Sequence, residues 1–240
     1  MSQVPLFFHD GELKTSAETE LEESTARHIV QVLRMQRGDN IMLTNGKGYK
    51  ATATISDAGK KKCVVQIEES EFFEQSKPLL HIAVAFTKNT NRNEWMLEKM
   101  TELGVASIIP LQAERSEREK FRFDRFRNIL VAAIIQSQQY YLPELCELTP
   151  LEELVSKYDS VEQKLVAHCM ADNERRPILD AIAKQKETLL LIGPEGDFTE
   201  DEIKHLTSKG FKAISMGSNR LRTETAAVTA CASFNMLNHD

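Results

Sequence analysis

From residue 78 onward the hydrophobic positions alternate between two rhythms. Short apolar runs at 79–86, 105–110, 163–168, 188–192 and 212–216 have strand length. Between them apolar residues recur every three or four positions, as on the inner face of a helix. Asn93 is placed to cap a helix through Trp95, Met96, Met100 and Leu103, which Gly104 stops. A second helix over 123–138 turns Phe126, Ile129, Leu130, Ala133 and Ile134 inward. Thr149-Pro150 opens another, with Pro150 at its first position. A helix over 177–184 follows. Thr199 and Glu202 have capping-box spacing for a helix ended by Gly210, and Thr223 caps a last one to about residue 237. Alternating strands and helices of this length predict an α/β domain with a mostly parallel sheet.

The first seventy residues follow a different pattern. Short runs at 6–8, 41–44, 49–55 and 63–67 are joined by the turn signals Asn45-Gly46 and Asp57-Ala58-Gly59. One helix intervenes, capped by Ser24 or Thr25 and carrying Ile29, Val32 and Leu33 on one face. Strands without helical crossovers predict a small β-barrel over 1–70. Residues 71–78 are charged and end in proline, which marks a linker, and 79–240 form the α/β domain.

Charge adds a feature that the net value of −6 conceals. Between Arg27 and Lys62 stand eight basic residues against Asp39 and Asp57 alone, after a distinctly acidic opening. One face of the N-terminal region is therefore suited to phosphates. The four cysteines form no C-x-x-C pair and have no histidine at ligand spacing, so neither a metal site nor a disulfide framework is expected. No uncharged apolar run reaches about 18 residues, so no membrane span is expected. Met1 to Pro5 lacks a basic region followed by an apolar run. No signal peptide is expected, and the chain is assigned to the cytoplasm.

In open parallel sheets ligands sit at the carboxyl ends of strands. Two such ends carry unusual loops, Gly193-Pro194-Glu195-Gly196 and Met216-Gly217-Ser218-Asn219-Arg220-Leu221. The first is no phosphate loop, since Glu195 and Asp197 would repel an anion. Its glycines allow close approach of a ligand, and its acids suit one that is cationic or rich in hydroxyl and amino groups. Arg220 and Arg222 precede a helix start, where the helix dipole disfavours cations unless an anion or a polar substrate group compensates.

These residues carry a family resemblance. Leu191 to Gly196, paired with Met216-Gly217 and Leu221-Arg222-Thr223-Glu224-Thr225-Ala226, resembles the knotted (SPOUT) RNA methyltransferases. Within them it is similar to the bacterial enzymes that methylate uracil N3 in 16S ribosomal RNA. Leu33-Arg34-Met35 with Gly38-Asp39, Glu102-Leu103-Gly104-Val105 with Ile109-Pro110-Leu111, and Glu114-Arg115-Ser116 agree in the same order. Ile135 and Gln139 depart from it, standing where the family has a charged pair, although Gln136 is kept.

The resemblance implies a trefoil knot in the α/β domain and a PUA-like RNA-binding barrel before it. It also implies a homodimer acting on 16S rRNA or the small ribosomal subunit, with no metal and no membrane. S-adenosyl-L-methionine would be held by His168, Ile192, Gly193, Pro194, Glu195, Gly196, Met216, Gly217, Leu221 and Thr225. Arg222, then Arg220, would stabilise a uracil anion, and Glu224 would act as base, arginine partner or helix cap. Arg34, Arg37, Lys60, Lys61, Lys62, Arg115 and Arg118 would meet RNA phosphates. The alternatives are a knotted methyltransferase acting at another RNA position and a non-catalytic RNA-binding ribosome-assembly factor.

Overall fold

The computed structural model describes residues 4–59, 62–117, 121–170 and 175–238. The chain divides into two compact units, residues 1–75 with 134–142, and residues 76–133 with 143–240.

In the first unit, β1 (Leu6–Phe8), β2 (Glu18–Glu20), β3 (Asn40–Thr44), β4 (Tyr49–Ala58) and β5 (Cys63–Phe72) form one sheet in the order β1-β3-β4-β5-β2. The β3–β4 hairpin forms where the Asn45-Gly46 signal predicts one, but its loop is longer than a two-residue turn, since the register Thr44↔Lys50 leaves residues 45–49 between the paired positions. Period-two patterning turns Ile41, Leu43, Ala51, Ala53, Ile55, Cys63, Val65 and Ile67 into the core. Bulges at Thr52/Ala53 and Ile55/Asp57 bend the long β4–β5 pair. β5 continues through Phe72, into the charged stretch that reads as a linker.

The helix of this unit differs from the expectation. α1 (Glu23–Arg27) has Glu22 at its N-cap with no side-chain cap bond, and it passes into a π-helical turn, His28–Val32. The wider turn leaves Ile29 fully buried but swings Val32 and Leu33 outward, to 65% and 43% exposure. The segment 134–142 belongs to this unit because its backbone pairs with the hairpin loop. Leu142 N–H donates to Gly46 O at 2.9 Å, and Gly48 N–H to Tyr140 O at 2.8 Å. Gly48 has φ +89°, and a Cβ there would overlap the Tyr141 ring, so only glycine fits.

The second unit has the expected α/β alternation. Its elements are β6 (Leu80–Val84), α2 (Thr90–Glu102), β7 (Ser107–Gln112), α3 (Phe123–Gln136), β8 (Glu144–Leu145), β9 (Thr149–Pro150), α4 (Leu151–Lys157), β10 (Gln163–Ala167), β11 (Arg176–Pro177), α5 (Ile178–Ala181), β12 (Thr188–Ile192), α6 (Glu200–Ser208), β13 (Lys212–Ser215) and α7 (Thr223–Asn238). The strands are all parallel, in the order β11-β13-β10-β12-β6-β7-β8, with β9 also on β7. Every residue of β12 is buried, as a continuous apolar run in a doubly covered strand requires. The α6 capping box forms, with Thr199 and Glu202 exchanging bonds. Among the described residues no helix is long and apolar enough to cross a membrane.

Four local expectations are corrected. Pro150 is the N-cap of α4, because its extended ψ of 146° lets it end β9. The helix expected over 177–184 shrinks to α5, since Ile182 returns to extended backbone. Thr223 is the first residue of α7, and its hydroxyl donates to Gly193 O at 3.4 Å. Asn89, not Asn93, caps α2 by accepting from Arg92 N–H.

Asn93 has a better use one turn into that helix. It is buried, its Oδ1 accepts from Thr87 N–H at 3.0 Å, and its Nδ2 donates to Thr87 O at 2.8 Å. A buried amide satisfying both backbone groups of one residue pins the loop after β6 to the helix. Asn93→Ala leaves those groups buried and unpaired and should destabilise the protein by about 1–3 kcal/mol. Urea unfolding measures the change, and a shift in midpoint with an unchanged slope is the expected outcome.

Candidate functional site

Strand register assembles the site. Ala167 at the end of β10 pairs with Ile192 at the end of β12 and with Ile214 in β13. The chain therefore leaves all three strands at one level, and the following loops enclose a cavity of about 340 Å³. That is room for a small-molecule ligand. Ile192, Ile214, Met216, Leu221 and Ala226 supply apolar wall, while Glu195 and Asp197 supply negative charge.

The loops hold one another through charge-assisted and main-chain hydrogen bonds. Asp197, in the left-handed region at φ 61°, accepts from Cys169 N–H at 2.8 Å and from its own neighbour Phe198 N–H at 2.9 Å. Arg175 donates to His168 O at 2.9 Å, and Arg220 donates to Glu195 O at 3.1 Å. With the Thr223–Gly193 bond, each strand-end loop is tied to a neighbouring segment. Gly193 lies on the buried Phe198 ring, where a Cβ would come within 2.9 Å of a ring carbon. A side chain there would push the ring out of its buried place, so glycine is what lets this turn pack on Phe198.

Most residues assigned to the cofactor gather here: His168, Ile192, Gly193, Pro194, Glu195, Met216, Gly217 and Leu221 all line the cavity, with Arg220 and Arg222. Gly196 and Thr225 do not. Gly196 faces Arg115, whose Nη1 donates to its carbonyl at 3.0 Å. Thr225 lines a neighbouring cleft with Arg222 and Glu224.

Glu224 has 8% side-chain exposure and is paired with Arg92 of α2 at 3.6 Å. Arg92 also reaches Glu195 at 3.6 Å. Its position in the first turn of a helix, unfavourable to a cation, is compensated by these two carboxylates. Sequence reasoning missed Arg92 and Arg175, and it read Asp197 only as an acid facing a ligand, not as the acceptor that ties two loops together. Arg92 had a signal, a cation at a helix start, of the kind that singled out Arg220 and Arg222. Asp197 and Arg175 act through long-range contacts that spacing does not report.

Of the residues assigned to RNA, Arg34 and Arg37 line an exposed cleft in the first unit with Met35 and Asp57. Lys62 is paired with Glu20 at 2.9 Å, which offsets part of its charge. Lys60, Lys61 and Arg118 lie outside the described residues. Among the described residues no group of three or more His, Cys, Asp or Glu side chains is gathered for a metal ion.

The RNA methyltransferase domain model matches residues 74–235, and the RNA methyltransferase PUA domain model matches 21–68. The chain is 30% identical over 230 residues to ribosomal RNA small subunit methyltransferase E of Rickettsia conorii, covering 95% of this chain and 93% of that one. A crystal structure of a probable rRNA methyltransferase from Porphyromonas gingivalis is similar with a TM-score of 0.91 and 34% identity, covering 98% of each chain. That of the small subunit methyltransferase E of Neisseria gonorrhoeae, bound to S-adenosyl methionine, has a TM-score of 0.87 and 28% identity, again over 98% of each.

The cysteines give a direct test of the cavity wall. Cys63, Cys146 and Cys231 are buried, and burial pushes each thiol above its ordinary value, while Cys169 is exposed and lines the cavity. Native protein treated with iodoacetamide at mildly alkaline pH should be modified at Cys169 alone, because the thiolate is the reactive form. Peptide mass spectrometry reads the site, and all four thiols should react after denaturation.

Proposed function

The chain belongs to the RNA methyltransferase family, and from that premise we propose that it methylates N3 of a uridine in 16S ribosomal RNA, using S-adenosyl-L-methionine. The carrying observation is the cavity that three aligned strand ends enclose, with Arg222 on its wall. A formed cavity of this size favours an enzyme over a silent RNA-binding protein. The relatives named for small-subunit rRNA methylation support the substrate class.

The residues present fit the cofactor. The apolar side chains of Ile192, Ile214 and Leu221 suit an adenine ring, and the carboxylates of Glu195 and Asp197 suit the positive charges of its methionine portion. Arg175, on the same wall, has a buried Nε with no partner among the described residues, a donor available to a ligand carboxylate. When bound, the cofactor supplies an already activated methyl group on a sulfonium, so alignment and charge control are left to the protein.

N3 of uracil carries a proton that has to leave before the nitrogen can accept a methyl group. Arg222 is exposed on the cavity wall and would stabilise the resulting negative charge at an adjacent carbonyl oxygen. Arg220 acts one step back, holding the loop of Glu195 through its carbonyl. Glu224 would take the proton. Its carboxylate is held by Arg92, and its Oε2 is buried with no hydrogen-bond partner among the described residues.

The target must be unpaired or flipped, because N3 lies on the Watson–Crick edge. Arg34 and Arg37 of the PUA-like unit, with Arg115, would meet phosphates. Lys62 would contribute less, given its pairing with Glu20. The deep trefoil knot, a homodimer and a cytoplasmic location belong to the same reading. The sheet order supports the knot, because β13 lies across β10 from β12 although it follows β12 in the chain.

Calorimetric titration should show saturable S-adenosylmethionine binding, and no binding at millimolar cofactor would sink the proposal. S-adenosylhomocysteine should also protect Cys169 from alkylation. Small-subunit rRNA from a deletion strain should lack a methyluridine by nucleoside mass spectrometry, and retention of the full set would refute the substrate. Arg222→Ala should lower methyl transfer by about 10²–10³-fold, with cofactor affinity within a few fold.

A further inference from the structure

Beside the cofactor cavity lies a second cleft of about 400 Å³, and Arg222 lines both. Its other walls come from the start of α2, with Asn91, Arg92 and Trp95, and from the start of α7, with Glu224 and Thr225. Arg92 and Trp95 stand three residues apart, so one face of α2 presents both. Trp95 is 44% exposed, an unusual fate for the largest apolar ring in the chain. Glu224 is the opposite case, a carboxylate with 8% exposure whose Oε2 has no hydrogen-bond partner among the described residues. A buried polar atom in this condition is satisfied when a ligand donor arrives.

We propose that this cleft is the acceptor-base pocket, in which Trp95 stacks on an unpaired uracil of the RNA and Glu224 accepts its imino N–H between the guanidinium groups of Arg92 and Arg222. The proposal rests on the methyltransferase reading above and deepens it by naming what recognises the base. The ligand class follows from the donor set. Uracil carries one N–H flanked by two carbonyl oxygens, which matches a carboxylate paired with Arg92 at 3.6 Å in a cleft whose wall also carries Arg222. Cytosine and adenine present a lone pair where uracil has the N–H, and that lone pair would face the carboxylate. Guanine has an N–H, but one flanking group is an amine, which cannot accept from the second arginine. A flat exposed indole provides the stacking surface that any base can use, and the polar edge supplies the discrimination.

Trp95 is the only tryptophan in the chain, so its fluorescence reports on the pocket directly. Protein saturated with S-adenosylhomocysteine is titrated with short oligouridylate and with oligocytidylate of equal length. Oligouridylate should quench the emission saturably, and oligocytidylate should bind at least ~10-fold more weakly. Glu224→Gln should erase that difference, since an amide both donates and accepts. Trp95→Leu should raise the KM for rRNA by about 10-fold, the scale of one lost stack. Its S-adenosylhomocysteine affinity should stay within two-fold, and Trp95→Phe should recover most of the loss. Equal quenching by the two oligonucleotides would overturn the proposal. So would emission that changes with protein concentration yet ignores both, which would mean that a second copy of the chain covers Trp95. Failure of S-adenosylhomocysteine to bind at all would instead strike the methyltransferase reading itself.

Discussion

Parallel pairing of β10 with β12 on one side and β13 on the other is the constraint from which the site follows. Parallel strands all run the same way, so their carboxyl ends lie at one edge of the sheet. The register then decides how closely those ends are matched. With Ala167 level with both Ile192 and Ile214, loops distant in sequence leave the sheet side by side. The buried side chains beneath them, among them Val166, Leu191 and Phe198, keep that level from slipping. A one-residue shift would exchange the two faces of a strand and move Gly193 off the Phe198 ring.

Once the loops are adjacent, a small set of polar contacts holds them open around a cavity. Asp197, Arg175, Arg220 and Thr223 each bind a main-chain group of a neighbouring segment. These bonds satisfy loop backbone that no regular element serves, and they order the walls before a ligand arrives. The same logic governs the charges. Arg92 sits at a helix start, against the dipole, because Glu195 and Glu224 surround it. Glu224 is tolerated in a buried position because Arg92 is there. Neither residue is explained alone, and together they join the start of α2 to the start of α7.

Several sequence signals were right about type and wrong about use. Asn93 is a strong N-cap residue, yet Asn89 four residues earlier holds the cap, leaving Asn93 to secure Thr87. Thr223 has the right chemistry for a cap but lies one position inside α7 and reaches Gly193 instead. In the first unit, helical spacing put Val32 beside Ile29, and the π-helical turn separated them. Each is a side chain or a face with two nearby uses, and the tertiary environment selected the one that satisfied a buried group.

The elements, the parallel sheet, the hairpin at Asn45-Gly46 and both glycine-bearing loops were legible in the chain itself, because period and turn chemistry are local properties. Gly193 to Glu195 and Met216 to Leu221 could be paired from sequence, since both follow apolar strands. The inward turn of Glu224 toward Arg92, the tie of Asp197 to Cys169, and the separation of Gly196 and Thr225 from the cavity belong to the tertiary structure alone. The partners concerned lie tens to more than a hundred residues apart in the chain. Only the strand register and the packing of α2 against α7 bring them within reach.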